Sequence, residues 1–157
     1  MIIHTIGYEG LTPEVFLHRL HEAHVQIVID VRDVPLSRKS GFSKTALAAA
    51  IGAAGMEYRH FRSLGCPKPI RDRYRMNKDW TAYTVAFMDH LREQADVVRA
   101  LAALCQAGST ALLCYEADAG RCHRTYVARA VAAIARGNVE HIVAAGAVPD
   151  RAAATAA

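Results

Sequence analysis

The chain has 157 residues, slightly more than half of them hydrophobic, and 19 basic against 15 acidic side chains give a net charge of +4. That length fits one domain of ordinary size whose core needs no staples. No apolar run approaches the roughly 20 residues that span a bilayer, and the start Met1-Ile-Ile-His-Thr-Ile-Gly7 lacks the basic segment and cleavage site of a secretory leader, so a cytoplasmic protein with no membrane partner and reduced thiols is expected.

Ile2–Ile6 reads as a short buried strand closed by the turn Gly7-Tyr8-Glu9-Gly10. Thr12 before Pro13 and Glu14 marks a helix start, with Val15, Phe16, Leu20 and Ala23 as its apolar face. The continuous β-branched run Val25–Val31 predicts a fully buried parallel strand ending in Asp30-Val31-Arg32-Asp33. A loop over Val34–Gly41 carries Pro35, Ser37, Arg38 and Lys39, and Ser43 is placed to cap a helix through Gly52. Met56–Phe61 reads as a third short strand. Arg62–Lys78, with two prolines, a glycine and many charges, reads as a long connection.

Asp79 then caps one long helix with Tyr83, Phe87, Leu91, Val98, Leu101 and Leu104 at helical spacing, stopped by Gly108. Thr110–Cys114 is a fourth strand, Arg121–Arg136 a helix ended at Gly137, and Val139–Val143 a fifth strand at the sheet edge. The alanine-rich end, 151–157, is expected to fray. Alternating strands and helices predict an α/β fold of three layers: a mostly parallel sheet of about five strands, helices on both faces, and a single domain over residues 1–150.

The chemistry concentrates in Ala111–Thr125, where Cys114, Glu116, Arg121, Cys122, His123 and Arg124 fall within one strand-to-helix turn. That turn lies at the carboxyl end of a strand, where open α/β sheets bind ligands. Cys122 at a helix start, beside Arg121, His123 and Arg124, has the setting that stabilises a thiolate. The alternative is a small residue packing the helix on the sheet, a role for which Cys114 is also suited. Cys114, Glu116, Cys122 and His123 also form a donor set for zinc or iron. Cys66, Cys105, Cys114 and Cys122 contain no C-x2-C spacing, which argues against a zinc ribbon.

Asp30 and Arg32 form a second constellation. Arg32 and Arg38 can grip a phosphate or carboxylate, or Asp30 and Arg32 can simply pair and brace the loop. Tyr8 and Glu9, from the first turn, can reach the same crevice if the strands are neighbours. His4, Tyr58 and His60 read either as core groups or as site groups. Trp80, Tyr83 and Phe87 read as core. The basic stretch 59–78, with Tyr74 between Arg73 and Arg75, is either a solvated loop or a nucleotide or nucleic-acid contact.

Several motifs taken together resemble one family: Thr5-Ile-Gly-Tyr8; Asp30-Val-Arg32 with Pro35 and Ser37-Arg38; Gly41-Phe-Ser-Lys44; His60 with Leu64-Gly65 and Pro67; Cys114-Tyr-Glu116; and Cys122-His-Arg124. The chain resembles the domain-of-unknown-function family numbered 488 over nearly its whole length. The resemblance implies an α/β fold and no settled activity. Gly-Gly often precedes the middle-loop proline in that family, whereas here Gly65-Cys66-Pro67 stands there. A weaker likeness is to rhodanese-type sulfurtransferases, through Ile29-Asp-Val-Arg32 and a strand-end cysteine. The acidic loop after Cys114 departs from their anion-cradling loop, and from that of cysteine phosphatases.

Three functions follow as expectations. The first is a small enzyme with Cys122, His123, Cys114, Glu116 and Asp30 as catalytic groups, and with Arg32, Arg38, Tyr8, Arg124 and Arg121 binding an anionic substrate. The second is a nucleotide or nucleic-acid binding module using residues 59–78. The third is a metal-binding protein ligating through Cys114, Glu116, Cys122 and His123. Cofactor, substrate, reaction and oligomeric state are left open.

Overall fold

In the central strands burial runs almost without interruption because both faces are covered. The computed structural model describes residues 1–151, and the expected fraying of the tail lies, apart from Arg151, outside the described residues. Its strands are β1 (Ile2–Gly7), β2 (Ile27–Asp30), β3 (Glu57–His60), β4 (Thr110–Cys114), β5 (Asn138–Val143) and β6 (Gly146–Pro149). They form one sheet in the order β3-β2-β4-β1-β5-β6. Every pairing is parallel except β5 with β6. The helices are α1 (Pro13–Glu22), α2 (Lys44–Ala53), α3 (Lys68–Asn77), α4 (Trp80–Glu93), α5 (Ala95–Ala107) and α6 (His123–Ala135).

Side chains alternate across the sheet, and each face builds its own core. Ile3, Ile29, Val31 and Leu112 pack with Phe87, Leu101 and Val127 from α4, α5 and α6. Ile6, Val28, Ala111 and Leu113 pack with Phe16, Leu20, Leu47 and Ile51 from α1 and α2. The three-layer α/β expectation holds. Thr12 caps α1 as expected, its hydroxyl accepting from Val15 N at 3.3 Å. Val15, however, faces outward at 41% exposure.

Several elements differ from expectation. The sheet has a sixth strand: the chain turns at Ala144–Ala145, Gly146 takes φ +109°, and β6 returns antiparallel, so β5 is not the edge. The expected connection Arg62–Lys78 instead contains a 3₁₀ turn (Arg62–Leu64) and α3. Pro69 sits in the first turn of α3, where the missing N–H has no intrahelical acceptor to lose. The long helix expected after Asp79 is two helices, broken at Gln94. Ser43 precedes α2 but does not cap it. Its hydroxyl accepts from Ser37 N at 3.0 Å and donates to Ser37 O at 3.2 Å, closing the loop that carries Arg38 and Lys39. The final helix starts at His123, two residues later than expected, because Arg121 belongs to a 3₁₀ turn and Cys122 is extended.

Candidate functional site

The carboxyl ends of β1, β2 and β4 meet at one edge of the sheet, and the loops leaving them are strapped together. Tyr8 N donates to Cys114 O at 3.2 Å, Glu9 N to Tyr115 O at 2.8 Å, and Ala117 N to Glu9 Oε2 at 2.9 Å. The strap passes so close to Gly7 that a Cβ there would sit 1.8 Å from Glu116 O. Beneath it Arg124, 1% exposed, donates to Glu116 O at 2.5 Å and to Thr5 Oγ1 at 3.3 Å. Thr5 Oγ1 in turn is hydrogen-bonded with His141 Nδ1 at 2.8 Å. Arg124 therefore holds the loop from below and does not line the cleft above it.

On this loop Cys114, Glu116, Cys122 and His123 come together. Cys114 Sγ lies 3.2 Å and Cys122 Sγ 3.0 Å from the same oxygen, Glu116 Oε2. His123 Nε2 is 2.8 Å from Val31 O on the neighbouring strand end. A carbonyl only accepts, so Nε2 carries a proton. Nδ1 then faces Cys114 Sγ at 3.9 Å, and Phe87 packs edge-on to the ring with centroids 5.2 Å apart.

The protonation of these groups is linked. Burial alone would raise the Cys122 thiol; the Cys114 thiol, His123 and Arg124 outweigh it and hold Cys122 well below the usual thiol range. Its hydrogen bond to Cys122, with burial, pushes Cys114 well above that range. Burial, with the Cys122 sulfur beside it, lifts the Glu116 carboxyl to about 7. Burial would lower His123, but the Cys122 sulfur reverses this and raises it. Cys122 is thus the more acidic of the two thiols, with the raised His123 imidazole and the raised Glu116 carboxyl beside it.

The donor atoms of Cys114, Cys122 and His123 all lie within 4.8 Å of one another. Sulfur and imidazole nitrogen suit zinc or iron, and a ligating histidine commonly gives its other N–H to a carbonyl, as His123 gives Nε2–H to Val31.

Above the cluster opens a cleft of about 880 Å³, lined by Cys114, Glu116 and His123 but not by Cys122. Of its lining residues seven are Lys or Arg and two are Asp or Glu. Arg38 and Lys39 come from the loop after β2. Arg71, Arg75 and Lys78 come from α3 and its C-cap, and Arg121 from the turn before α6.

Asp30 is not in this constellation. Its register partner on β4 is Leu113, one residue before Cys114, so Asp30 and Cys114 leave the sheet on opposite faces. Asp30 is fully buried and accepts from Arg32 Nη2 at 2.6 Å and from Tyr58 OH at 2.6 Å. Arg32 does line the cleft, yet its guanidinium also donates to Tyr8 OH at 3.1 Å and Phe42 O at 2.7 Å. The pair braces the loop after β2. Tyr8 stacks flat on Phe42, centroids 4.4 Å apart, and His60 Nε2 donates to Arg32 O at 2.8 Å. His4, expected as a hydrogen-bonded core group or a base, is buried away from the cleft with Nδ1 unpartnered among the described residues. Cys66 lines the cleft, but burial pushes its thiol up to about 11, against a weaker opposing effect of Tyr83.

Sequence reasoning missed Lys39, Trp80 and Tyr115 as cleft residues, and it assigned Arg71, Arg75 and Lys78 to a separate basic stretch, 59–78, which the structure brings to the same cleft. Arg71, Tyr74, Arg75 and Lys78 fall at i, i+3, i+4 and i+7, a signal that only becomes readable once residues 68–77 are helical.

The fold and site define a doubly covered, mainly parallel α/β protein with a buried cysteine–histidine cluster under a basic cleft at the carboxyl edge of its sheet. Residues 12–131 match the family described as Domain of unknown function DUF488, and the chain belongs to that family. No curated protein and no solved structure matches the chain. Among the described residues no helix is long and apolar enough to cross a membrane.

Proposed function

We propose that this protein is a thiol-dependent enzyme acting on an anionic substrate in the basic cleft, with Cys114 as the sulfur that meets substrate. The observation that carries this reading is that Cys114 lines the cleft while His123 Nδ1 and the second thiol stand directly behind it. Cys122, the more acidic thiol, is 1% exposed and does not line the cleft. His123 Nδ1, 3.9 Å from Cys114 Sγ and without a proton of its own, takes the Cys114 proton as Cys114 attacks, and the neighbouring Cys122 sulfur stabilises the imidazolium that results. A bond then forms from Cys114 sulfur to the electrophilic atom, the bond to the leaving group breaks, and protonated Glu116 supplies the leaving group's proton. Arg38 and Arg121 hold the substrate's negative charge. A reducing cytoplasm is the compartment in which both thiols stay available for this chemistry.

Alkylation with iodoacetamide near neutral pH, followed by intact-mass and peptide analysis, tests the reading. A single modification at Cys114 is expected, absent in Cys114→Ser and shifted to lower pH in Cys122→Ser, which removes the neighbouring sulfur that raises the Cys114 thiol. Cys114 left unmodified until the protein unfolds would overturn it. So would stoichiometric zinc or iron in protein prepared without an affinity tag, lost in Cys122→Ser, which would assign the cluster to metal ligation.

A further inference from the structure

We propose that the cleft binds a nucleotide unit, its phosphate on the basic walls and its base against the cleft's aromatic residues. This rests on the cleft being the substrate site of the thiol enzyme, and it names the substrate class.

The first observation is uncompensated charge. Arg38 and Lys39 on one wall, and Lys78 and Arg121 on the other, form no ion pair with any carboxylate among the described residues. Arg71 is held by Asp33 through Nη2 at 3.0 Å, while its Nε has no acceptor among the described residues. A cleft that gathers cations and leaves them unpaired attracts an anion, and phosphate oxygens match guanidinium geometry.

The second observation is flat apolar surface among those charges. Trp80 lies stacked on Tyr83 with centroids 4.6 Å apart, Tyr74 meets both edge-on, and Arg121 sits 5.6 Å above the Trp80 ring. Tyr115 also lines the cleft and is 46% exposed. Neither ring faces a disordered loop: Trp80 opens α4 and Tyr115 is strapped to Glu9. Rigid aromatic faces flanked by guanidinium groups are what a base stacks on. A bare inorganic anion would use the charges and leave this surface, and most of the 880 Å³, unused.

A free nucleotide and one unit of a single strand share this chemistry, so the experiment separates them. Trp80 is the chain's one tryptophan, so intrinsic fluorescence reports the cleft directly. Titrations of the Cys114→Ser protein, in which thiol chemistry is absent, would use adenosine 5′-monophosphate, adenosine, inorganic phosphate and an oligothymidylate, with calorimetry in parallel. Saturable quenching by the monophosphate, at least tenfold tighter than by adenosine or by phosphate, supports the proposal and identifies a free nucleotide. Tighter binding of the oligomer, falling steeply with salt, supports it and identifies a strand.

The double variant Arg38→Ala/Lys39→Ala should weaken either ligand at least tenfold with its melting temperature unchanged. Binding of phosphate as tight as the monophosphate overturns the proposal, as does the absence of both heat and quenching at low salt, or full affinity in the double variant. The alkylation result at Cys114 is independent of these readings, so loss of the nucleotide assignment leaves the thiol reading standing, whereas an unreactive Cys114 beside tight nucleotide binding would overturn the thiol reading and the nucleotide's place as its substrate together.

Discussion

Asp30 and Cys114 end adjacent strands, yet their side chains leave the sheet on opposite faces. Asp30 serves the layer of α1 and α2, where it neutralises buried Arg32; Cys114 serves the layer of α6 and the cleft. Asp30→Ala should therefore cost about 3–5 kcal/mol, because it strands a buried guanidinium. Urea unfolding would measure that loss, and the alkylation rate of Cys114 in the folded variant should stay within twofold of wild type. The paired change Asp30→Leu/Arg32→Met should recover much of the stability.

Gly7 offers a steric test of the loop that carries the site. A methyl group there meets Glu116 O at 1.8 Å, and both segments are pinned by backbone hydrogen bonds. Gly7→Ala should lose about 3 kcal/mol, the upper end of overpacking costs. The strap must also shift, so the thiol reactivity profile should change in the same variant.

Acid should destabilise the protein through His4 and His141. Burial holds both imidazoles below their ordinary value of 6.5, outweighing Glu140 at His4 and Asp150 at His141. A folded value below the unfolded one means that the unfolded chain takes up protons first. This contribution is present in full above 6.5 and is lost as pH falls through the folded values. His4→Leu should narrow the gap between urea midpoints measured at about pH 7.5 and about pH 5; an unchanged gap would remove His4 from the account.

Glu116 should shape the pH profile of the cluster. Its carboxyl, lifted to about 7 by burial and by the Cys122 sulfur, becomes negative beside the sulfurs as pH rises and opposes a thiolate there. Glu116→Gln removes that repulsion, so the alkylation midpoint should move to lower pH and any inflection near 7 should vanish. Rates measured across the pH range in wild type and variant decide it.

The sheet was readable from sequence because β1, β2 and β4 carry apolar residues on both faces, a pattern that suits a covered parallel strand. The turn holding Cys114 through His123 was readable for the same reason: it follows such a strand. The residues 62–78 were not. Helix α3 fully buries none of its side chains, rests on the core through partly buried Ile70 and Tyr74, and carries Pro69 in its first turn, so its apolar stripe is too thin to betray it. Nor does any residue mark the break at Gln94, which takes an ordinary φ of −95° with no glycine or proline to signal it. β6 is exposed along its whole length and so shows no alternation. The face on which Asp30 sits depends on a one-residue offset between β2 and β4, which only the paired strands reveal.

The bond from His123 to Val31 O has a consequence beyond orientation. The acceptor belongs to a different segment of chain from the ring it anchors, so the alignment of two strands selects the tautomer. A change far down β2 that slid it against β4 would free the outer nitrogen and let the inner one keep a hydrogen, switching off an acid–base group without touching any reactive atom.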